Sequence, residues 1–303
     1  MNDQIKQHEK AYVRASDIAK FLGAIFLGND ILIKAVTSFD NISENALVFS
    51  KGKVEKKLLE DAGPVCLITP DPPGFIGNNA FIVVENPRLA FAKTLAKFFV
   101  EKKTSGIGKY SAIHPSAKIG KSVIIGNFCT IGRNVVIGDN TEILNNVVIA
   151  DGVKIGAHCL IRSNSVIGEE GFGFEYDDDG TPIRIPHLGN IEIGDYVEIG
   201  NFTAIARGTI NNTIIHSHVK IDNLIHIAHN VIVGRNSLII SHAQIAGSVK
   251  IGDNSWVAPS STINDNLSIG SGAYIGIGAV VIHDVADNEK VFGNPAKRII
   301  SPK

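Results

Sequence analysis

Two histidines lie close together in the segment Ile221–Asn230, which reads IDNLIHIAHN. Imidazole is the side chain best suited to proton transfer near neutral pH, so His226 and His229 are candidate general bases. Gly247 follows His229 by 18 residues, and a glycine leaves its backbone N–H sterically open. This is what acyl transfer needs, because the base takes a proton from the attacking amine or hydroxyl and the N–H stabilises the tetrahedral oxyanion.

The spacing of 18 matters because the chain repeats every six residues. Isoleucine stands at 113, 119, 125, 131, 137, 143, 149, 155, 161 and 167, again at 193, 199 and 205, and isoleucine or valine at every sixth residue from 215 to 281. This period fits neither a helix nor a simple strand and is typical of a parallel β-helix built from hexapeptides. Three hexapeptides close one triangular coil, so residues 18 apart stack on adjacent coils. The glycine that often follows the branched residue is expected to tolerate the bend at the corner.

The repeat is interrupted twice. An insertion between residues 167 and 193 reads EEGFGFEYDDDGTPIRIPHLGN, and the step from residue 205 to residue 215 is ten residues long. A solenoid gains no stability from such loops, so we expect functional residues there. Phe172 and Phe174, in the glycine-rich part of the insertion, are candidate substrate contacts.

A metal site is the alternative use of the histidines. His216, His218 and His242 lie in the same part of the chain, but they complete no convincing ligand spacing. The three cysteines also lack metal-ligand spacing, and we predict that they are small packing residues. We therefore predict no metal, and keep a zinc carbonic anhydrase or a non-catalytic β-helix scaffold as the alternative from another functional class.

Residues 1–105 lack the repeat and are predicted to form a small α/β domain. The predicted elements are strands over Ala46–Ser50, Pro64–Pro70 and Ala80–Glu85, and helices over Ser16–Leu22, Val54–Asp61 and Pro87–Lys102, with Ser16 as the first helix's cap. The β-helix is predicted over residues 106–286, and residues 287–303 form a tail. The fold class is therefore mainly β, a parallel β-helix preceded by a small α/β domain.

Charge and hydropathy exclude several classes of function. The net charge of the 303 residues is −1, so no bulk charge favours nucleic acid. The sequence has no apolar run long enough to insert into a membrane and no signal-peptide core at its start. We therefore expect a cytoplasmic protein.

Short segments across the whole chain carry a resemblance to a known family. They are NPRLAFA at 86–92, GFGF at 171–174, RG at 207–208, TII at 213–215, IDN at 221–223, IAHN at 227–230 and IAGS at 245–248. Together they resemble the UDP-3-O-acylglucosamine N-acyltransferase family of lipid A biosynthesis, within the left-handed β-helix hexapeptide acyltransferase superfamily. The resemblance implies a left-handed β-helix, an exception to right-handed crossovers. It also implies a homotrimer with active sites between neighbouring subunits and an N-terminal domain that holds the uracil of a UDP-sugar.

The same resemblance implies roles for individual residues. His229 would be the general base, the Gly247 N–H the oxyanion donor, and Asp222 a supporting polar residue. The candidate substrate contacts are Phe49, Phe172, Phe174, Asn223, His226, Asn230 and His242. Two segments depart from the family's pattern: the Asn and Tyr of its uridine segment are missing after Phe49, and Ala206 replaces the usual Asp before Arg-Gly.

The end of the sequence resembles a different group of enzymes. The segment VFGNPAKRI at 291–299 resembles the finish of acetyl-CoA-dependent nucleotide-sugar N-acetyltransferases, and the sequence ends at Lys303 without the helices that help the first family engage acyl carrier protein. We therefore expect a coenzyme A thioester as co-substrate, with acyl carrier protein as the alternative donor and no permanently bound cofactor. The candidate donor contacts are Gly247, Gly276, Gly278, Asn294, Lys297 and Arg298.

These expectations combine into one predicted reaction. An acyl group passes from a thioester to the amine of a nucleotide-linked amino sugar, for lipopolysaccharide or surface-glycan biosynthesis. The alternative is an acyl-carrier-protein-dependent UDP-3-O-(3-hydroxyacyl)glucosamine N-acyltransferase of lipid A biosynthesis.

Overall fold

The computed structural model describes residues 12–52, 54–71, 74–101 and 103–298. The start of the chain, where we predict no signal peptide, lies outside the described residues, as do residues 299–303 of the predicted tail. The chain divides into two compact units, residues 1–102 and 103–303. None of the described helices has the length and apolarity that crossing a membrane requires.

The N-terminal unit is built on a five-stranded sheet. In spatial order its strands are Ile25–Gly28, Ala80–Val83, Cys66–Thr69, Ala46–Phe49 and Ala35–Val36, and only the first two pair antiparallel. A separate antiparallel pair joins Val13–Arg14 to Leu32–Ile33. The helices are Ala15–Leu22, Lys56–Ala62 and Pro87–Thr94, which continues as the π-helix Leu95–Phe99, and a 3-10 turn spans Phe39–Asn41.

The central strands of this sheet are buried on both faces. Leu47 and Ile68 belong to one apolar cluster, whereas Val48 and Leu67 belong to another. Neighbouring residues therefore pack on opposite sides, as expected of a sheet covered by helices. The three predicted strands and three predicted helices are present.

The predicted cap of the first helix is wrong. The helix begins at Ala15, one residue before Ser16, and its N-cap residue makes no side-chain bond. The carboxylate of Asp30 instead accepts a hydrogen bond from the Ser16 backbone N–H at 3.0 Å. The first-turn N–H is thus satisfied from a distant residue, which local sequence could not reveal. Gly23 ends the helix in the left-handed conformation, as predicted.

The second unit is a left-handed parallel β-helix with three faces, which confirms the predicted fold class. The first face contains Gly106–Ile107, Ile124–Ile125, Glu142–Ile143, Leu160–Ile161, Glu198–Ile199, Lys220–Ile221, Leu238–Ile239, Trp256–Val257, Tyr274–Ile275 and Lys290–Phe292, and ends on the antiparallel strand Lys297–Arg298. The second contains Ala112–Ile113, Thr130–Ile131, Val148–Ile149, Val166–Ile167, Ala204–Ile205, His226–Ile227, Gln244–Ile245, Thr262–Ile263 and Val280–Val281. The third contains Lys118–Ile119, Val136–Ile137, Lys154–Ile155, Ile191–Ile193, Thr213–Ile215, Ile232–Val233, Lys250–Ile251 and Ser268–Ile269.

The repeated branched residues form one continuous core. Ile227 pairs with Ile205 on one neighbouring coil and with Ile245 on the other, and all three are buried. Burying an isoleucine side chain stabilises the fold by about 1.5–3 kcal/mol, so this column fixes the register of the strands. The stacking of residues 18 apart follows from it.

The glycines after the branched residues have a different role from the predicted one. A methyl group at Gly138 would lie 2.5 Å from the backbone nitrogen of Ala157 on the next coil. These glycines therefore permit close approach of adjacent coils. The left-handed bend falls further along the corner, for example at Asn140 with φ 57°. Asparagine tolerates that conformation because its short polar side chain bonds locally.

Polar side chains at the buried corner positions are satisfied by the next coil. The hydroxyl of Ser165 donates to the carbonyl oxygen of Gly200 at 2.7 Å. The thiol of Cys129 donates in the same way to Leu144 at 2.9 Å. Burial raises the pKa values of the thiols of Cys66, Cys129 and Cys159. The cysteines are buried and free, which confirms that they are packing residues.

The β-helix begins where it is predicted, at residue 106, and extends beyond its predicted end at residue 286. Gly106–Ile107 pairs in parallel with Ile124–Ile125. At the other end, Lys290–Phe292 of the predicted tail pairs in parallel with Tyr274–Ile275, and Val291 is buried. The tail segment up to Arg298 is therefore part of the solenoid sheet.

Candidate active site

His229 lies at the corner between the second and third faces. It follows the strand His226–Ile227, and Gly247 occupies the same corner on the next coil, where Ser248 N–H donates to the His229 carbonyl at 2.9 Å. A methyl group at Gly247 would lie 2.7 Å from Cε1 and 3.0 Å from Nε2 of His229. The imidazole therefore rests directly on the glycine.

The side chain of Asn230 holds His229 in one tautomer. Asn230 Nδ2 donates to the carbonyl oxygen of Asn211 at 3.0 Å, and the N–H of Thr209 donates to Asn230 Oδ1 at 3.1 Å. These two bonds fix the orientation of the amide, because a carbonyl only accepts and an N–H only donates. The same Oδ1 lies 2.9 Å from His229 Nδ1. Nδ1 therefore carries the proton, and Nε2 is left without one, as the predicted general base requires.

The ten-residue step supplies this support. Its Thr209 hydroxyl donates to Asn230 Oδ1 at 3.0 Å and lies 3.4 Å from His229 Nδ1. Thr213 Oγ1, at the end of the step, accepts the Asn230 backbone N–H at 2.9 Å. Gly208 permits a tight turn, because a side chain there would meet the Asn211 carbonyl. The loop thus contacts the predicted base and its neighbour Asn230, and its functional role stays a prediction.

Replacing Asn230 by alanine is expected to lower kcat by about 10²-fold, the cost of misplacing a reacting group by about 1 Å. The imidazole loses the acceptor that fixes its tautomer. Asn236→Ala is the matched control, because Asn236 has the same left-handed backbone, with φ 58° against 62° for Asn230. Both variants pay a similar conformational cost of roughly 1–2 kcal/mol. Steady-state kinetics with equal losses in the two variants would show that backbone strain, and not the amide, is responsible.

The backbone N–H of Gly247 is available to a ligand. At the same position of another hexapeptide, on the corner between the third and first faces, the Arg235 N–H donates to Asp253 Oδ1 on the next coil at 2.7 Å. Across the described ranges of the chain, the N–H of Gly247 has no such acceptor. The carboxylate of Asp265, the corresponding residue, instead accepts from Asn266 at 2.7 Å. A free N–H beside the base is what an oxyanion would bind.

The long insertion folds over this corner as a β-hairpin. Its strands Phe174–Tyr176 and Pro182–Arg184 pair antiparallel. The rings of Phe172 and Phe174 pack at a tilt of 56° with their centroids 4.8 Å apart, and the Arg184 guanidinium lies 4.8 Å from the centre of the Phe174 ring. The aromatic side chains thus form one cluster beside the site.

A cleft of about 320 Å³ opens between the insertion and the second face. Phe172 and His226 line it, as do Glu170, Arg184 and Ala206. Glu170 and Arg184 form an ion pair at 3.5 Å. Gly171, also in the wall, lies against the Cδ2 edge of His229. Gly171 therefore lies between the cleft and His229, and the cleft brings two predicted substrate residues together.

His226 points outward on the second face. Desolvation and, secondarily, the electrostatic interaction with His229 lower the pKa of His226 below its ordinary value of 6.5. At pH values near 6.5, His226 is therefore protonated in a larger fraction of unfolded chains than of folded chains. Acidification through this range accordingly favours unfolding.

His226→Gln is expected to reduce the fall in Tm that acidification causes. The variant lacks the group that binds more protons in the unfolded chain. Differential scanning calorimetry between about pH 7.5 and about pH 5.5 measures this as a smaller fall in Tm than in the wild type. An equal fall in both proteins would contradict the assignment.

Three predicted site residues lie at a different corner. Asp222, Asn223 and His242 belong to the corner between the first and second faces. Asp222 accepts from the backbone N–H groups of Asn223 at 2.8 Å and Ser241 at 3.3 Å. In a single chain it therefore supports its own corner, and its role beside His229 stays a prediction.

The candidate donor residues lie at the C-terminal end of the solenoid. The Phe292 ring occupies the position that a side chain at Gly276 would take, whereas the corresponding position at Gly278 is open. Asn294 lies in the turn before the strand Lys297–Arg298. A donor contact at Gly276 would thus require Phe292 to move.

Phe49 belongs to the N-terminal unit. Its ring is half-buried and packs against Phe91 at 4.9 Å. It therefore contributes to the core at the end of its strand, and its stacking on a nucleotide base stays a prediction.

Comparison with known proteins identifies the relatives of this chain. Residues 134–169 match the family described as "Bacterial transferase hexapeptide (six repeats)". The chain is 42% identical over 245 residues to the UDP-3-O-acylglucosamine N-acyltransferase of Campylobacter lari, covering 76% of each. It is 44% identical over 242 residues to the enzyme of that name from Campylobacter curvus, again covering 76% of each.

The chain belongs to the UDP-3-O-acylglucosamine N-acyltransferase family. It is therefore an acyltransferase that uses an acyl donor as co-substrate, and the scaffold and carbonic anhydrase alternatives are wrong. Among solved structures, it is similar to the UDP-N-acetylglucosamine O-acyltransferase of Moraxella catarrhalis. That match has a TM-score of 0.58 and 30% identity, and covers 62% of this chain and 72% of the other.

Two residues beside His229 in this N-acyltransferase were not predicted from the sequence. His187, in the insertion, is buried and packs against His229, with ring centroids 5.3 Å apart. Thr209 lies beside His229 Nδ1. Both residues lie in the two interruptions of the repeat, and this location was the sequence feature that could have indicated them. The other histidines have different surroundings: His218 stacks on Tyr196 at 4.9 Å, and no group of three or more His, Cys, Asp or Glu among the described residues could hold a metal ion.

Proposed function

We propose that the protein transfers an acyl group from a thioester to the amine of UDP-3-O-acylglucosamine, with His229 as the general base. The observation that carries this proposal is the bare Nε2 of His229 resting on Gly247, whose N–H has no acceptor among the residues that the structure describes. The names of the relatives support the acceptor. They favour our narrower alternative over a general nucleotide-linked amino sugar.

The geometry supports a direct transfer. The amine attacks the thioester carbonyl while His229 Nε2 takes one of its protons, and the Gly247 N–H stabilises the oxyanion. Collapse of the tetrahedral intermediate forms the amide and breaks the carbon–sulfur bond. The proton held by His229 then passes to the leaving thiolate. This step gives the free thiol and returns His229 to its neutral form.

The cleft beside His229 is the proposed place for the sugar and its acyl chain. The exposed aromatic ring of Phe172 offers apolar surface, and the Glu170–Arg184 pair offers polar contacts. Such a combination of apolar wall and few polar groups is typical of small-molecule sites. The nucleotide remains an expected ligand of the N-terminal unit.

For the donor we propose an acyl carrier protein thioester, the alternative to coenzyme A. The family resemblance implies this donor. The Phe292 ring against Gly276 also weakens the expected path of a pantetheine arm along that glycine. Lys297 and Arg298 are exposed cations that suit an acidic carrier surface.

A donor panel tests this proposal. Purified protein is offered UDP-3-O-acylglucosamine with one acyl chain presented either on acyl carrier protein or on coenzyme A. We expect a kcat/KM at least about ten-fold higher with the carrier protein. A preference for coenzyme A would restore our first expectation, and UDP-N-acetylglucosamine is the control acceptor because its nitrogen is already acylated.

We also propose a homotrimer. A residue of one chain stacks only along its own solenoid, so a second wall for the site must come from a neighbour of closed cyclic symmetry. That neighbour could also bring Asp222 to His229. Analytical ultracentrifugation is expected to give a trimer, and a stable, active monomer would exclude this arrangement.

A further inference from the structure

His187 has a buried nitrogen without a partner. The side chain is 3% exposed and belongs to the long insertion. Its Nδ1 lies 3.0 Å from the carbonyl oxygen of Ile185, and since a carbonyl only accepts, Nδ1 carries the proton. The Nε2 of the neutral ring is then a bare acceptor, and it has no hydrogen-bond partner in the described part of the chain. Buried orphaned polar atoms are uncommon and call for a functional explanation.

This nitrogen and the base share one small space. The rings of His187 and His229 meet edge to face, with centroids 5.3 Å apart and planes at 73°. A methyl group at Gly171 would lie 3.1 Å from His187 Nε2 and 3.1 Å from His229 Cδ2. A methyl group at Gly173 would lie 3.1 Å from His187 Cε1. The two glycines of the GFGF segment therefore make room for His187, and a side chain at Gly171 would crowd both rings.

We infer that His187 is a positioning residue that acts through His229, an inference that rests on the proposed function. His229 is enclosed on three sides. Asn230 holds Nδ1, Gly247 lies against Cε1, and Gly171, which also packs on His187, lies against Cδ2. The enclosure leaves Nε2 as the atom that can reach a substrate.

The tautomer of His187 adds an electrostatic contribution. When His229 takes the proton of the amine, its ring becomes an imidazolium ion. The bare nitrogen of His187 presents negative potential to the shared space, which favours that ion, whereas an N–H there would oppose it. Preorganised dipoles of this kind stabilise charge that develops during a reaction. Ile185 thus contributes indirectly, because its carbonyl fixes the His187 tautomer.

Two substitutions separate this role from simple packing. His187→Phe keeps a buried ring but replaces the bare nitrogen by C–H. His187→Gln removes the ring but can place an acceptor oxygen near the position of Nε2. We expect His187→Phe to lower kcat by about ten-fold while the KM values of both substrates stay within about two-fold. We expect His187→Gln to retain most of the wild-type kcat.

The outcomes are distinct. A fully active His187→Phe enzyme, or equal losses in the Phe and Gln variants, would overturn the inference. Thermal melting checks the fold, and His187→Leu, which also lacks an acceptor, replaces the Phe variant if that protein does not fold. His229→Ala is measured in parallel. If that variant remains active, the proposed function itself fails, whereas an inactive His229→Ala beside a fully active His187→Phe would contradict only the role of His187.

Discussion

His229→Ala is expected to lower kcat by about 10²–10⁴-fold, the usual contribution of a general base. The amine would have to lose its proton to water, because the substitution removes the imidazole that rests on Gly247. The fold should survive, because His229 is a half-buried corner residue and not one of the inward hexapeptide residues. Steady-state kinetics at saturating donor and acceptor, with circular dichroism to check the fold, measure the effect.

His226→Ala is the matched control for this result. His226 lies three residues away and lines the same cleft, but it points outward on the second face. Its removal should cost much less than the removal of His229. If the two variants behave alike, or if only His226 matters, the base is misassigned.

Gly247→Ala is expected to lower kcat by about 10²-fold or more. The added methyl group would lie 2.7 Å from Cε1 of His229, so the imidazole must move away from the N–H that binds the oxyanion. Ser248→Ala, at the same corner, adds no volume and should leave kcat nearly unchanged.

A double substitution tests the cause of the Gly247 effect. If the methyl group acts by displacing His229, the Gly247→Ala, His229→Ala protein should be little slower than His229→Ala alone, because residues that act as a unit are not additive. Two fully additive losses would show that Gly247 acts independently of the base.

The hexapeptide period predicted the backbone of the site well. It placed Gly247 on the coil next to His229, since one inward residue every six positions fixes the register of a solenoid. It explained the corner glycines less well, because their close approach to the next coil depends on backbone that is 18 residues away. The same period places Asp222 at the corner that precedes the corner of His229. The family resemblance groups the two residues in one site and does not show this separation within a single chain.

The support around the base could not be predicted from local sequence. Asn230 was a candidate substrate contact, but its amide bonds to Thr209 and Asn211 in the ten-residue step. His187 was missed because the path of the insertion depends on its hairpin and on where Gly171 packs. Irregular loops have no sequence period from which side-chain positions can be predicted. The sequence therefore indicated where the candidate functional segments lie, but not which of their side chains contact His229.

The nature of the product tests the central claim most directly. Purified protein is incubated with UDP-3-O-acylglucosamine and an acyl carrier protein thioester, and the product is analysed by mass spectrometry before and after mild alkali. We predict the addition of one acyl group that survives alkali, as an amide does, while the ester-linked chain is released. Formation only of an alkali-labile ester, or no transfer to this acceptor from any thioester, would contradict the account.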